Sequence, residues 1–177
     1  MKVSSILNLI LLLLLASCDG CKKDDPKPKT ELEKLPPATQ EGKDTFGCLV
    51  NGKAWVIEST TNTDAVYQIG ILQIFGRRYE PFLSLEMSIL EKYYGGSLAI
   101  TTYPLNKFPD SSCSAYLESS TQSCKYESQS CISGKILLTK LDRVKYIVSG
   151  TFHFVTVAKD CDTLKITNGR FDIRYTP

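Results

Sequence analysis

Two cysteines three positions apart, in Cys18-Asp19-Gly20-Cys21, are the first residues whose spacing suits chemistry. A CxxC pair works as a redox dithiol inside a βαβ unit, or as half of a zinc site when a second ligand pair follows. Neither context is present. The pair lies between an apolar run and a charged, proline-bearing stretch, no second CxxC follows, and His153 is the single histidine. His153 has the alternating apolar neighbours of a strand, Phe152 and Phe154. A hydrolytic triad would need a nucleophile and an orienting acid beside it, and the chain has no GxSxG elbow. Glu80, Glu86, Glu91, Asp160 and Asp162 offer carboxylates for an acid–base pair across a cleft, the one route left to an envelope hydrolase. Asp160-Cys161-Asp162 falls short of the roughly six to eight oxygens that calcium takes, and no glycine loop cradles a phosphate. The expectation is a protein that is not an enzyme, with no catalytic constellation, cofactor or metal.

Arginine and aromatic side chains are the other candidates. Ile74-Phe75-Gly76-Arg77-Arg78-Tyr79-Glu80 is expected to place Arg77, Arg78 and Tyr79 at a loop tip. Glu91-Lys92-Tyr93-Tyr94-Gly95-Gly96 is expected to place Tyr93 and Tyr94 beside another. Exposed Tyr and Arg anchor ligands, and aromatic faces stack on sugars, so these five are the candidate ligand contacts. The plainer alternative is tyrosine at strand ends with its ring packed and its hydroxyl wet.

Around the CxxC the chain reads as an address. Residues 1–17 carry one positive residue, Lys2, and an apolar run from Ile6 to Ala16 broken by Asn8. That run is too short for a spanning helix, which needs about 20 residues, and suits a cleaved export signal. Leu15-Ala16-Ser17-Cys18 resembles the bacterial lipobox, which implies cleavage before Cys18 and lipidation of its thiol and amino group. Residues 18–45 hold no aromatic residue and four prolines, and are expected to form a disordered tether. Lys22-Lys23-Asp24-Asp25 resembles the Lys-plus-acid export signals of Bacteroidetes lipoproteins, although it starts further from the cysteine than the usual motif. It implies the outer membrane, with display on the cell surface and a periplasm-facing position as the alternative.

Residues 46–177 suffice for one domain. Of 21 Lys/Arg and 19 Asp/Glu in the chain, Lys2, six tether lysines and seven tether acids precede it, which leaves 14 and 12. A near-neutral domain argues against nucleic acid. Strands are expected near 66–75, 82–90, 97–103, 114–118, 122–127, 132–141 and 145–157, separated by turn residues, with no helical stripe. Hairpins are expected at Asn51-Gly52, pairing Cys48 with Trp55 and Phe46 with Ile57, and at Asn168-Gly169, pairing Ile166 with Phe171 and Lys165 with Asp172. The fold expected is an all-β antiparallel sandwich, with a small closed barrel as the alternative. Three blocks, Phe46 to Trp55, Gly134 to Phe154 and Leu164 to Tyr175, resemble a family of uncharacterised Bacteroidetes lipoproteins with an all-β domain of unknown function. The resemblance implies export and lipid anchoring, with no activity and no catalytic residue.

Beyond Cys18 there are six cysteines: Cys21, Cys48, Cys113, Cys124, Cys131 and Cys161. Export would let them oxidise, and six allow 15 pairings, so at least one disulfide is expected with no pair named. Cys48 facing Trp55 reads equally as a buried free thiol. Together these observations describe a membrane-anchored binding or structural module that meets a glycan, a peptide or an envelope protein through its loops. The alternatives are an accessory subunit of a surface complex and the hydrolase already named.

Overall fold

The computed structural model describes residues 29–57, 62–80, 82–118 and 123–177. Residues 1–17, expected to be an export signal, together with Cys18, Cys21 and the charged cluster at 22–25, lie outside them. Among the described residues, twelve strands form two antiparallel sheets. The first holds β1 (Thr45–Val50), β2 (Lys53–Ile57), β6 (Thr102–Pro104), β10 (Cys131–Asp142), β11 (Ile147–Thr156) and β12 (Leu164–Arg174), in the order β2-β1-β12-β11-β10-β6. The second holds β3 (Thr63–Gln68), β4 (Ile71–Tyr79), β5 (Phe82–Leu90), β7 (Asn106–Lys107), β8 (Ser111–Glu118) and β9 (Ser123–Tyr126). Its order is β3-β4-β5-β8-β7, with β9 also on β8. The sheets stay separate, so the fold is a sandwich and not the closed barrel.

Each strand turns alternate side chains inward. Phe46, Trp55, Phe152, Phe154, Phe171 and Ile173 of the first sheet meet Leu72, Ile74, Leu83, Leu85, Met87 and Ile89 of the second in one core. Phe46 and Phe152 lie 5.1 Å apart by ring centroids. Asn51-Gly52 makes the expected turn, with φ of 48° and 83°, and the register pairs Cys48 with Trp55 and Phe46 with Ile57.

The second expected hairpin is not formed. Residues 164–174 are one strand lying between β1 and β11. Asn168 adopts φ 51°, and the register slips there against both neighbours. The extra residue flips the side-chain alternation, so Leu164 and Ile166 before it and Phe171 and Ile173 after it all reach the core. A hairpin and a bulge satisfy the same apolar spacing, and two flanking strands supply more backbone hydrogen bonds than a hairpin would. The expected strand 66–75 is itself a hairpin, turning at Ile69-Gly70 with φ of 52° and 72°. A β-branched residue seldom takes positive φ, which is why the turn carries no sequence signal. The expected separator at residues 76–78 lies inside β4, and the expected strand 97–103 is loop up to β6.

The stretch 29–44 corrects the expected disordered tether over the part that is described. Thr30 and Glu33 cap one another: the Thr30 N–H donates to Glu33 at 2.8 Å, and the Glu33 N–H to the Thr30 hydroxyl at 3.3 Å. Leu35 is buried, and Pro36 packs on Gly47, where a Cβ would lie 2.6 Å from the proline Cδ. The chain then crosses the outer face of the first sheet to Asp172. Five groups donate to that carboxylate: the hydroxyls of Thr39 (2.6 Å) and Ser149 (2.7 Å), and the N–H groups of Glu41 (2.9 Å), Gly42 (2.8 Å) and Lys43 (3.3 Å). Lys165 is therefore not the partner of Asp172. The segment is a strap, and the folded unit begins well before residue 46.

Asp172 is 1% exposed. Burial alone would raise its pKa, but the hydrogen bonds from Thr39, Ser149, Glu41 and Gly42 outweigh it and hold the group at about 2, against an ordinary 3.8. Its contribution to stability is therefore complete above pH 3.8 and is lost as pH falls through about 2. Asp172→Asn should cost about 2–3 kcal/mol at neutral pH. Urea melts from pH 7 to 2 should show the difference between wild type and variant shrinking across that acid window. A difference that is constant with pH would remove the carboxylate from this role.

Candidate functional site

The five candidate ligand contacts do not form one patch. Arg77, Arg78 and Tyr79 lie on β4 rather than at a tip. Tyr93 and Tyr94 belong to a single 3-10 turn, Glu91–Tyr94, which follows the far end of β5. Since β4 and β5 pair antiparallel from Ile71↔Leu90 to Tyr79↔Phe82, the two groups sit at opposite ends of the sheet. Alternation also splits the first group. Arg77 and Tyr79 point outward, while Arg78 falls on the inward parity shared by Leu72, Ile74 and Gly76. The Arg78 Nε and Trp55 Nε1 donors are buried without an acceptor among the described residues. Tyr94 packs on Tyr103 with ring centroids 4.8 Å apart, and its hydroxyl lies 3.0 Å from that of Ser111, which is the plainer reading of a tyrosine. Tyr93 is exposed.

What the fold does assemble is the outer face of the second sheet. The strap covers part of the corresponding face of the first sheet. On the second, the register brings Arg77, Ser84, Tyr116 and Lys125 into one row across β4, β5, β8 and β9. The next row runs Asp64, Phe75, Glu86 and Ser114. A groove of about 510 Å³ lies over Ser84, Glu86, Ser114, Tyr116, Lys125 and Glu127. A second depression, of about 260 Å³, lies over Asn62, Asp64, Phe75 and Arg77. Tyr79, Phe82 and Tyr116 form an edge-to-face chain at the border, with centroids 5.8 and 5.5 Å apart. Gln73 donates to Glu86 at 3.1 Å, and the Tyr116 and Ser123 hydroxyls lie 2.9 Å apart. Sequence reasoning singled out Arg77, Tyr79 and Glu86 separately. Tyr116, Lys125 and Phe75 were missed, since only the pairing of four strands makes them neighbours.

One end of the sandwich carries a polar knot. The Tyr67 hydroxyl donates to Glu91, and Arg143 reaches the Ser97 hydroxyl and the Leu98 carbonyl, both at 3.3 Å. Burial, followed by the Glu91 contact, raises the Tyr67 pKa. Glu91 is thus occupied in structure. Glu80 sits at the β4–β5 turn, Glu86 in mid-strand, Glu91 in the 3-10 turn, and Asp160 and Asp162 together in the loop between β11 and β12, so the five candidate acids are spread over four elements. His153 lies on the outer face of β11, beside Ala38 of the strap in a cleft of about 380 Å³. Among the described residues no three His, Cys, Asp or Glu side chains converge as a metal site.

Two disulfides join the sheets. Cys113 of β8 bonds Cys131 of β10, and Cys124 of β9 bonds Cys161 in the loop before β12. Cys48 is free and fully buried, and burial raises its thiol far above the ordinary range, so it is not a disulfide residue. No family model, curated protein or solved structure matches the chain.

Peptide mapping without reduction should recover these two links. Cys48 should react with iodoacetamide only after unfolding, because a buried, protonated thiol is a poor nucleophile. Replacing Cys113 and Cys131 together by serine should cost about 2–4 kcal/mol in urea unfolding. Labelling of Cys48 in the native protein, or a different pairing, would contradict this arrangement.

Proposed function

We propose that the chain is an exported lipoprotein, held to the cell envelope through lipid on Cys18, whose sandwich is a binding module. Its ligand surface is the outer face of the second sheet, in place of the loops first expected. The carrying observation is the inequality of the two outer faces: the strap lies on one, and the other is a bare mixture of carboxylates, cations, hydroxyls and aromatic rings. Few polar groups set among aromatic walls are the usual make-up of a ligand site. Two inter-sheet disulfides suit an oxidising compartment, which supports export. The lipobox resemblance, the charge cluster at 22–25 and the likeness to Bacteroidetes lipoproteins support an outer-membrane, surface-displayed location. Ligands open to such a module are a glycan, a peptide or an envelope protein.

The accessory-subunit reading draws on one further observation. Ile69 is 99% and Val144 87% exposed on turns that Arg143 links through Tyr67, so apolar tips stand at one end of the sandwich. A subunit contact there would be in addition to the sheet face.

In the native host, Cys18→Ser should abolish incorporation of labelled palmitate and move the protein from the membrane pellet to the soluble fraction. Protease added to intact cells should remove the wild-type domain. A variant that stays labelled in the pellet would sink the anchor at Cys18. Loss of the domain only after lysis would place it on the periplasmic side.

A further inference from the structure

We infer that the outer face of the second sheet takes a neutral oligosaccharide; this deepens the binding-face proposal and rests on it. Neighbouring strands are about 4.8 Å apart, and same-face residues along a strand about 7 Å apart. The face therefore repeats its chemistry on the scale of one sugar ring. Along one row come the cation of Arg77, the hydroxyl of Ser84, the ring of Tyr116 and the cation of Lys125. Along the next come Asp64, the ring of Phe75, Glu86 and Ser114. A sugar ring offers hydroxyls around its rim, each both donor and acceptor, and a less polar C–H face. Carboxylates accept from the hydroxyls, Arg77 and Lys125 donate to them, and Tyr116 or Phe75 meets the C–H face.

Competing ligands fit less well. Two cations, Arg77 and Lys125, stand against four carboxylates, Asp64, Glu86, Glu118 and Glu127, on or bordering this face. That balance repels a polyanion, whether nucleic acid or acidic glycan. An extended peptide would add to a sheet edge. The β3 edge already pairs with Thr176, which donates to the Ala65 carbonyl at 2.8 Å and accepts from Tyr67 N–H at 2.8 Å, and the opposite edge, among the described residues, offers only β7 and β9, two and four residues long. A folded protein partner calls for an apolar centre, yet among the described residues Tyr79 is the only well-exposed large apolar residue on this face.

The polar groups are also held before a ligand arrives. Gln73 fixes Glu86, Ser123 meets the Tyr116 hydroxyl, and Lys125 lies 3.1 Å from Glu127. Fixing side chains in advance lowers the entropy cost of binding. The aromatic chain Tyr79-Phe82-Tyr116 extends the platform past the rim of the larger groove, so the face suits a chain of sugars better than one.

The test uses the full-length lipidated protein in a detergent without a sugar headgroup, in affinity gels cast with neutral polysaccharides (β-glucan, mannan, xylan, starch) or polyanionic ones (polygalacturonate, heparin). At least one neutral polymer should retard it, with little change from low to high salt. Tyr116→Ala should weaken that binding by about tenfold or more. Glu86→Gln should weaken it as well, and Tyr93→Ala, at the far end of the sheet, should leave it unchanged. Retardation by polyanions alone, by no polymer, or equally for Tyr116→Ala would overturn the ligand class. Hydroxyl-radical footprinting of the protein in its own envelope membranes separates the two levels. Protection of Tyr79 and Tyr116 relative to Tyr93, without neutral-glycan binding, would keep the binding face and discard the sugar. No protection together with no binding would discard both.

Discussion

The carboxylate of Asp172 organises more of this molecule than any other single group. A nearly waterless carboxylate on a sheet face is costly unless its lone pairs are filled. Here four of its five donors come from residues 39–43, outside the strands, and one from Ser149 on the adjoining strand. The charge is tolerable only with the strap in place, and the strap stays in place largely because of the charge. Further holds are modest: Arg170 and Lys140 donate to the Pro36 and Gln40 carbonyls, and Ala54 N–H donates to Glu31. The approach of the chain to the domain is thus part of the fold.

The two outer faces divide their work as a result. One is committed to holding the chain that leads toward the N-terminus. The other keeps its side chains in water, and its character is set by odd and even positions along β4, β5, β8 and β9. Inward residues on these strands are mostly aliphatic, joined by the disulfide-bonded Cys113 and Cys124 and by Arg78, Ser111 and Tyr126, and outward residues are mostly polar, charged or aromatic. The disulfides fix β8 and β9 to the first sheet from behind, so the groove is built on strands with little freedom to separate.

Much of the fold was legible because alternation and turn chemistry agree. Asn51-Gly52 supplies positive φ, and the apolar partners on either side select one register. Asn168-Gly169 carried the same signals and meant something else, since a bulge restores alternation as well as a hairpin does. Only the presence of β1 and β11 on both sides decides between them. The strap was illegible because its stability lies in Asp172, 130 residues away from Gly42, and not in its own composition. Ile69-Gly70 was hidden by a residue type that avoids the conformation it adopts. The site was legible only in fragments: Tyr79 and Arg77 stand out by type, but Ser84, Tyr116 and Lys125 are ordinary until the strands are paired.

The two long sides of the sandwich are fastened differently. On one, the chain passes from β6 into β7, changing sheets as it goes, and both disulfides lie on strands and loops of that half. On the other, β3 is laced to the first sheet by Thr176, two residues past the end of β12. The molecule is bound like a book, with a covalent spine and a clasp at the fore-edge. Fluctuations that part the sheets should begin at the clasp, where only hydrogen bonds and packing resist them, and die out toward the spine. Residues 175–177, which lie beyond β12 and pair with the second sheet through a single bridge, thereby govern how far the cover opens.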